Sequence, residues 1–372
     1  MRRRLTDLFK KDTVLVIAAM LAVISMFFNR PSKEYIDFID FRVLGILLAL
    51  MIVMAGLQVN GIFDRLGRAL VSRCNTTRKL CLVLVFMCFF SGMVLTNDVA
   101  LITFVPFALL TLKLSGKEKL MVKVVVYQTI AANLGSMLTP MGNPQNLYLY
   151  GLSGKTMGDF VMLTLPYTIV AALLLCLLIM LIKSESISVD NAGEEKKNTS
   201  VFQVCVYLVL FVLCILTVLR IVEWYIVAII VVAVAAVMDR RVLLKADYSL
   251  LLTFIAFFIF IGNMGELQAV RDMLSSLIEG RELAIAIISS QVVSNVPAAL
   301  LLSGFTGKYD ALIVGVNLGG LGTLIASMAS LISYKLFVNE YPDSKRKYFI
   351  YFTVVNIVFL VVLLFTHRII SG

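Results

Sequence analysis

Charge is missing from long windows of this sequence. Residues 13–29, 43–63, 160–182, 201–219, 224–238, 283–307 and 348–366 hold no Asp, Glu, Lys or Arg, while 80–112 holds only Asp98 and 309–334 only Asp310. A helix needs about 20 apolar residues to cross the hydrocarbon core of a bilayer. The windows are continuous rather than alternating, which excludes a transmembrane barrel. Over the whole chain 15% of residues are charged, against about 25% in soluble proteins. The fold class that follows is all-α, polytopic and membrane-embedded.

The start, "MRRRLTDLFKKD", is basic, but the apolar run after it meets Asn29, Arg30 and Pro31 with no small-residue cleavage site, so no cleavable signal peptide is expected. Six cysteines lie mostly inside apolar runs without metal or disulfide spacing and read as packing residues. The net charge of +10 does not indicate a nucleic-acid partner, because the basic residues cluster in alternate loops. Segments 1–12, 64–79, 113–123, 183–197, 239–245 and 335–347 hold 24 of the 33 Lys and Arg. By the positive-inside rule these are cytoplasmic. The N-terminus is then inside and the C-terminus, with His367 and Arg368, outside, in a cytoplasmic (inner) membrane.

The polar stretch 184–200, "SESISVDNAGEEKKNTS", reads as a flexible linker between halves 1–183 and 201–372. The halves repeat. "ANLGSMLTPMGNPQNLYLY" (132–150) aligns without gaps to "VNLGGLGTLIASMASLISY" (316–334), matching Asn133, Leu134, Gly135, Thr139, Leu147 and Tyr150 to Asn317, Leu318, Gly319, Thr323, Leu331 and Tyr334. Upstream of each lies an amphipathic segment, then a polar interruption of an uncharged run: Thr96-Asn97 in one half, Ser294-Asn295 in the other. The charge argument puts the two amphipathic segments on opposite sides, so the repeat is expected to be inverted. Inverted repeats with interrupted helices at matching positions point to the binding site of a secondary transporter.

The arms around Asn295, Leu283–Val293 and Val296–Thr306, are too short to span. Re-entrant hairpins are therefore expected at 283–307 and, by the repeat, at 79–113, with the chain turning at Asn97 and Asp98. The layout becomes scaffold helices within 13–63, the first hairpin, a broken helix at 118–150 and a helix at 160–182. After the linker come scaffold helices within 201–263, the second hairpin, a broken helix at 309–336 and a last helix at 348–368. That makes about nine crossings plus two hairpins. Counting both arms of the first hairpin as full spans gives the same parity.

A hairpin tip exposes free carbonyls from one arm and free N–H groups from the next. Carbonyls favour cations and N–H groups favour anions. Thr96, Asn97, Ser294 and Asn295 add neutral oxygen ligands of the kind sodium prefers, although Asn and Ser are also ordinary helix caps. "LTPMGNPQN" (138–146) cannot stay helical through Pro140, Gly142 and Pro144, which makes Gly142, Asn143, Pro144 and Asn146 site candidates. Its partner "GTLIASMAS" (322–330) offers Thr323, Ala326 and Ser327 but no proline, and is expected to be unwound less. Asp98 is the sharpest candidate, since an ionisable group inside a membrane is a functional hypothesis by default. It would carry a proton or help to hold a cation, or else cap the second arm. The sequence puts no Lys or Arg at the proposed midplane, so an anion there would be held by dipoles, amides and a co-bound cation.

These residues resemble the ion transporter superfamily of arsenite permeases, NhaD-type sodium/proton antiporters, citrate carriers and sodium–dicarboxylate symporters. The likeness is carried by "TNDVALITFVPF", "NLGSMLTPMGNPQN", "SNVPAALLLS" and "GVNLGGLGTLIASMASLISY". It implies sodium and substrate held at Thr96, Asn97, Gly142 and Asn143 in one half-site and at Ser294, Asn295, Thr323 and Ala326 in the other. It further implies a homodimer in which the hairpin-bearing part moves as an elevator against a scaffold of 13–63 and 201–263. Asp98, and Val296-Pro297 in the second half, depart from the symmetric dicarboxylate pattern and leave room for proton coupling. The expected activity is cation-coupled transport of a small anion with no cofactor beyond a bound sodium ion. The rivals are a sodium/proton antiporter, a non-transporting scaffold, and a membrane-embedded enzyme. The last lacks a metal-ligand cluster or a Ser–His arrangement, His367 being the one histidine.

Overall fold

The computed structural model describes residues 13–33, 35–187 and 200–371. Most of the proposed linker, at 188–199, and the basic start, at 1–12, lie outside them. Among the described residues there is no strand, only an isolated bridge between Thr76 and Ser186. The first half runs α1 (Thr13–Ser25), α2 (Phe41–Val59), α3 (Ile62–Val71), α4 (Thr77–Leu95), α5 (Asn97–Leu114), α6 (Met121–Ser136), α7 (Pro144–Ser153) and α8 (Met157–Met180). The second runs α9 (Val201–Val218), α10 (Trp224–Met238), α11 (Tyr248–Glu266), α12 (Gln268–Ile278), α13 (Glu282–Val293), α14 (Asn295–Ser303), α15 (Tyr309–Gly319), α16 (Met328–Glu340) and α17 (Lys345–Ser371).

Helices α2, α4, α5, α8, α9, α11 and the segment Pro342–Ser371 are long and apolar enough to cross a membrane; α1, α10, α13 and α15 are apolar but shorter. The protein is a multi-pass helical membrane protein. The α13 and α14 arms, 12 and 9 residues long, are too short to span. The α4 and α5 arms have 19 and 18 residues. At 1.5 Å per residue each is roughly 28 Å long, enough to cross. The two hairpins are therefore unequal in length, and the α4–α5 pair fits the two-span reading as well as the re-entrant one.

The order amphipathic helix, paired arms, interrupted helix, long helix occurs twice, as α3 to α8 and as α12 to α17. Packing is reciprocal as well. α4 lies on α6 and α13 on α15; α5 lies on α16 and α14 on α7; α2 lies on α10 and α11 on α1. α9, which has no counterpart in the first half, also packs on α2. The aligned "NLG" glycines explain the closest of these approaches. A Cβ on Gly135 would collide with the Phe89 carbonyl of α4, and one on Gly319 would stand 2.6 Å from Ser290 Oγ of α13. Asn263 of α11 donates to Ser25 Oγ (2.8 Å) and Tyr35 OH (2.9 Å), joining it to α1 and the turn that follows.

Candidate functional site

One residue makes each hairpin tip. Thr96 has φ 98° and ψ 146°, and Ser294 has φ 74° and ψ 156°. Both angle pairs belong to a region that side-chain-bearing residues avoid. This corrects the expected turn: Asn97 and Asp98 are not in it but form the first turn of α5. Neither Thr96 nor Ser294 makes a side-chain cap. Asp98 is no cap either, being the second residue of its helix, but Asn97 Oδ1 accepts from Asp98 N–H at 3.0 Å, a bond of the capping kind.

Behind the tips lies a buried network of amides and hydroxyls. Asn97 Nδ2 donates to Asn133 Oδ1 at 3.1 Å. The same Oδ1 accepts from Ser327 Oγ (3.1 Å), and Asn133 Nδ2 donates to Ser330 Oγ (3.2 Å). In the other direction Asn143 Nδ2 donates to Asn317 Oδ1 (3.1 Å), and Asn317 Nδ2 donates to Asn146 Oδ1 (2.6 Å). Asn133 thus bonds 327 and 330, while its aligned partner Asn317 bonds 143 and 146, which align with 327 and 330. Each half closes onto the break in the other.

Both breaks are stabilised by one inserted amide. Asn146 Nδ2 donates to the carbonyls of Ser136, Met137 and Thr139 at 3.2–3.3 Å. Gln291 Nε2 donates to the carbonyls of Gly319 (2.8 Å) and Leu321 (2.9 Å), and Gln291 Oε1 accepts from Thr323 N–H (3.0 Å). Non-helical backbone at membrane depth needs such partners. The second segment is also interrupted as fully as the first, from Gly320 to Ser327, contrary to the milder unwinding expected. No proline is needed, because Gly322 adopts φ 106° and Gln291 supplies the missing hydrogen bonds.

The first tip faces a cavity of about 190 Å³. Thr96, Asp98, Asn143, Pro144 and Met328 line it, with Leu47, Leu50, Met51 and Met54 of α2 forming an apolar wall. Asp98 Oδ1 is buried without a hydrogen-bond partner. The starts of α5, α7, α11 and α16 all reach this cavity, through Asp98, Pro144, Asp247 and Met328. The positive ends of their dipoles favour negative charge there, while Asp98, Asn146 and Leu250 N–H already donate to Asn97, Asn143 and Asp247 Oδ1. Gln58, Lys245 and Asp247 also line it. Lys245, which by sequence belongs to a cytoplasmic loop, is exposed and lines the same cavity as Asp98.

The remaining candidates are placed otherwise. Gly142 packs against the Ser136 carbonyl. Asn97, Asn146 and Ser327 are committed to the amide network. Ser294 Oγ approaches the Ala326 carbonyl at 3.5 Å, and Thr323 Oγ1 the Gln291 carbonyl at 3.5 Å. Asn295 is buried beside Gly320. Next to the second tip, Val296 and Pro297 line a space of only about 10 Å³. The cavity at the first tip is the larger of these two spaces, and Thr323 of the second half is exposed. Sequence reading missed Asn133, Asn317 and Gln291 as site builders. The signal for the two asparagines was their match in the aligned repeat; for Gln291 it was a long amide three residues before a tip.

A family model described as "Citrate transporter" matches residues 5–306. The inner membrane protein YbiR of Escherichia coli (strain K12) is 33% identical over 320 residues, 84% of each chain. The uncharacterized transporter MJ0456 of Methanocaldococcus jannaschii is 29% identical over 304 residues, 82% of this chain and 83% of that one. The silicon efflux transporter LSI3 of Oryza sativa subsp. japonica is 35% identical over 130 residues, 34% of this chain and 26% of that one. The family and these relatives are membrane proteins and transporters rather than enzymes. By the match over most of its length, the chain belongs to the citrate transporter family.

Proposed function

We propose that this transporter moves a small anion across the membrane, coupled to protons or sodium, with Asp98 as the coupling group. The observation that carries the reading is the cavity at the first tip. It joins four helix starts and a lysine, which favour an anion, to a carboxylate oxygen with no partner, which needs a proton or a cation. The family description, "Citrate transporter", and the silicon efflux of one relative agree with a small oxygen-rich solute. Sodium would sit among Thr96, Asn97 and Gly142, with a second position at Ser294, Asn295 and Ala326.

The reciprocal amide bonds support inverted repeats whose hairpins and broken helices move as one elevator body. Two ties cross from the proposed scaffold to that body: Gln58 Nε2 to Thr103 Oγ1 (3.3 Å), and Arg220 to the carbonyls of Tyr150 and Gly151 (3.4 and 3.5 Å). A homodimer formed through the scaffold fits the same reading.

The test is uptake into proteoliposomes under an imposed proton or sodium gradient, with labelled citrate, succinate, sulfate and arsenite offered in turn. Gradient-driven uptake is expected, and Asp98→Asn should uncouple it from the gradient. The pair of carboxylates at the cavity, Asp98 and Asp247, favours one rival, a sodium/proton antiporter. Dye-reported cation exchange without anion uptake would replace the present reading by that one.

A further inference from the structure

We propose that Lys245 is a specificity-determining residue of the transport site, its ammonium pairing with the negative charge of the transported anion. The inference rests on the anion-transport reading above. Lys245 and Asp98 line one cavity although they come from different halves of the chain. Lys245 makes no ion pair among the described residues. Asp98 Oδ1 likewise has no hydrogen-bond partner. A lysine and an aspartate that share a cavity without bonding each other leave room for something between them.

The loop that carries Lys245 is built to hold it still. Asp239 caps the short turn Arg240–Leu243 by accepting from Arg241 N–H at 2.9 Å. Lys245 N–H donates to the Val242 carbonyl (3.0 Å), and Tyr248 OH donates to the Leu243 carbonyl (2.9 Å). Asp247 caps α11 by accepting from Leu250 N–H at 3.0 Å. Val242 and Ala246, on either side of Lys245, are buried and anchor the loop in the core. The lysine stem therefore starts from a fixed backbone, and the exposed side chain is the part that an anion would order.

The charges explain why anion and cation would travel together. With Asp98 ionised, its carboxylate would oppose an entering anion. Once Asp98 is protonated or cation-bound that opposition is gone, and Lys245 is left to pair with the anion. Lys245 then sets the sign of the solute, and Asp98 sets the condition for loading it.

The experiment compares the unaltered protein with Lys245→Met and Lys245→Arg in proteoliposomes, using labelled citrate, succinate and sulfate as anions and arsenous acid as an uncharged solute. Lys245→Met keeps the apolar stem and removes the charge. Its KM for an anion is expected to rise about tenfold or more, the loss of one charge-assisted contact, with maximal rate changed far less. Lys245→Arg should restore most of the affinity. Uptake of arsenous acid, where the unaltered protein shows it, should be indifferent to both changes. An unchanged anion KM in Lys245→Met would overturn the assignment. So would equal losses for charged and uncharged solutes, or recovery of anion KM in Asp98→Asn/Lys245→Met, which would mean that the two residues only neutralise each other. No anion uptake by the unaltered protein would overturn the transport reading and this assignment together, and that outcome is recognisable before any variant is made.

Discussion

Thr96 and Ser294 hold backbone angles that cost of order 1–3 kcal/mol in a residue with a Cβ. Thr96→Gly should remove that strain at the first tip and leave the melting temperature in detergent unchanged or higher. A drop of several degrees would mean that the threonine side chain supports the tip by contacts of its own. Gly135 behaves in the opposite way. Gly135→Ala drives a methyl group into the Phe89 carbonyl, which is backbone and cannot swing aside. A loss of at least about 2 kcal/mol is expected from such overpacking, and thermal unfolding would read it. The same residue type is thus welcome at one site and required at the other, the first for torsion and the second for volume.

At the scale of elements, the broken helices persist because a side chain from a neighbouring segment does the hydrogen bonding that the helix gave up. Gln291→Leu would strip partners from two carbonyls and one N–H of the second break. Such losses cost about 1–3 kcal/mol for each group that water cannot reach. The expected result is a marked fall in stability with faster amide exchange from Gly319 to Thr323; protection equal to the unaltered protein would show that water fills the role. At the base of the first hairpin, the segment after α8 is pinned to the start of α4. Thr77 N–H donates to the Glu185 carbonyl at 2.9 Å, and Lys117 Nζ bonds Glu185 Oε2. Lys117, with Lys183 beside it, holds the Glu185 carboxyl below its ordinary range. A depressed carboxyl contributes stability that is present above its unfolded pKa and is lost as pH falls through the folded value. The melting-temperature gap between the protein and Glu185→Gln should therefore be small, as suits an exposed pair, and should shrink as the pH falls below the ordinary glutamate range of about 4.3.

For the whole molecule the question is what holds the proposed hairpin body against the proposed scaffold. Arg220 stands out among the described residues as the third non-glycine with positive φ, at 63°. Its guanidinium lies 5.5 Å from the centroid of the Tyr150 ring and donates to the last carbonyls of α7. Arg220 lies just after α9, and α7 begins at Pro144 in the cavity wall, so the contact joins the proposed scaffold to the proposed moving body. Arg220→Ala should free the end of α7, giving faster amide exchange at residues 148–153. If that segment exchanges as slowly as before, the contact carries no holding force.

Much of this molecule was legible as pattern. Uncharged windows determined an all-helical membrane protein, because nothing in a bilayer's interior can satisfy exposed backbone. The aligned "NLG" segments and the polar residues in apolar runs located both tips to within a residue or two, and Pro140, Gly142 and Pro144 located one break. What the sequence could not carry was anything that depends on two distant segments meeting. The amide bonds of Asn133 and Asn317, the insertion of Gln291 beside Gly319, and the cavity lined by both Lys245 and Asp98 each join residues far apart in the chain. Periodicity and composition are local quantities, whereas a site in a membrane protein is assembled where helices from both halves cross. The sequence by itself determined which segments are helical and where they fail. The tertiary structure alone decided which failures face each other, and which charges share the space between them.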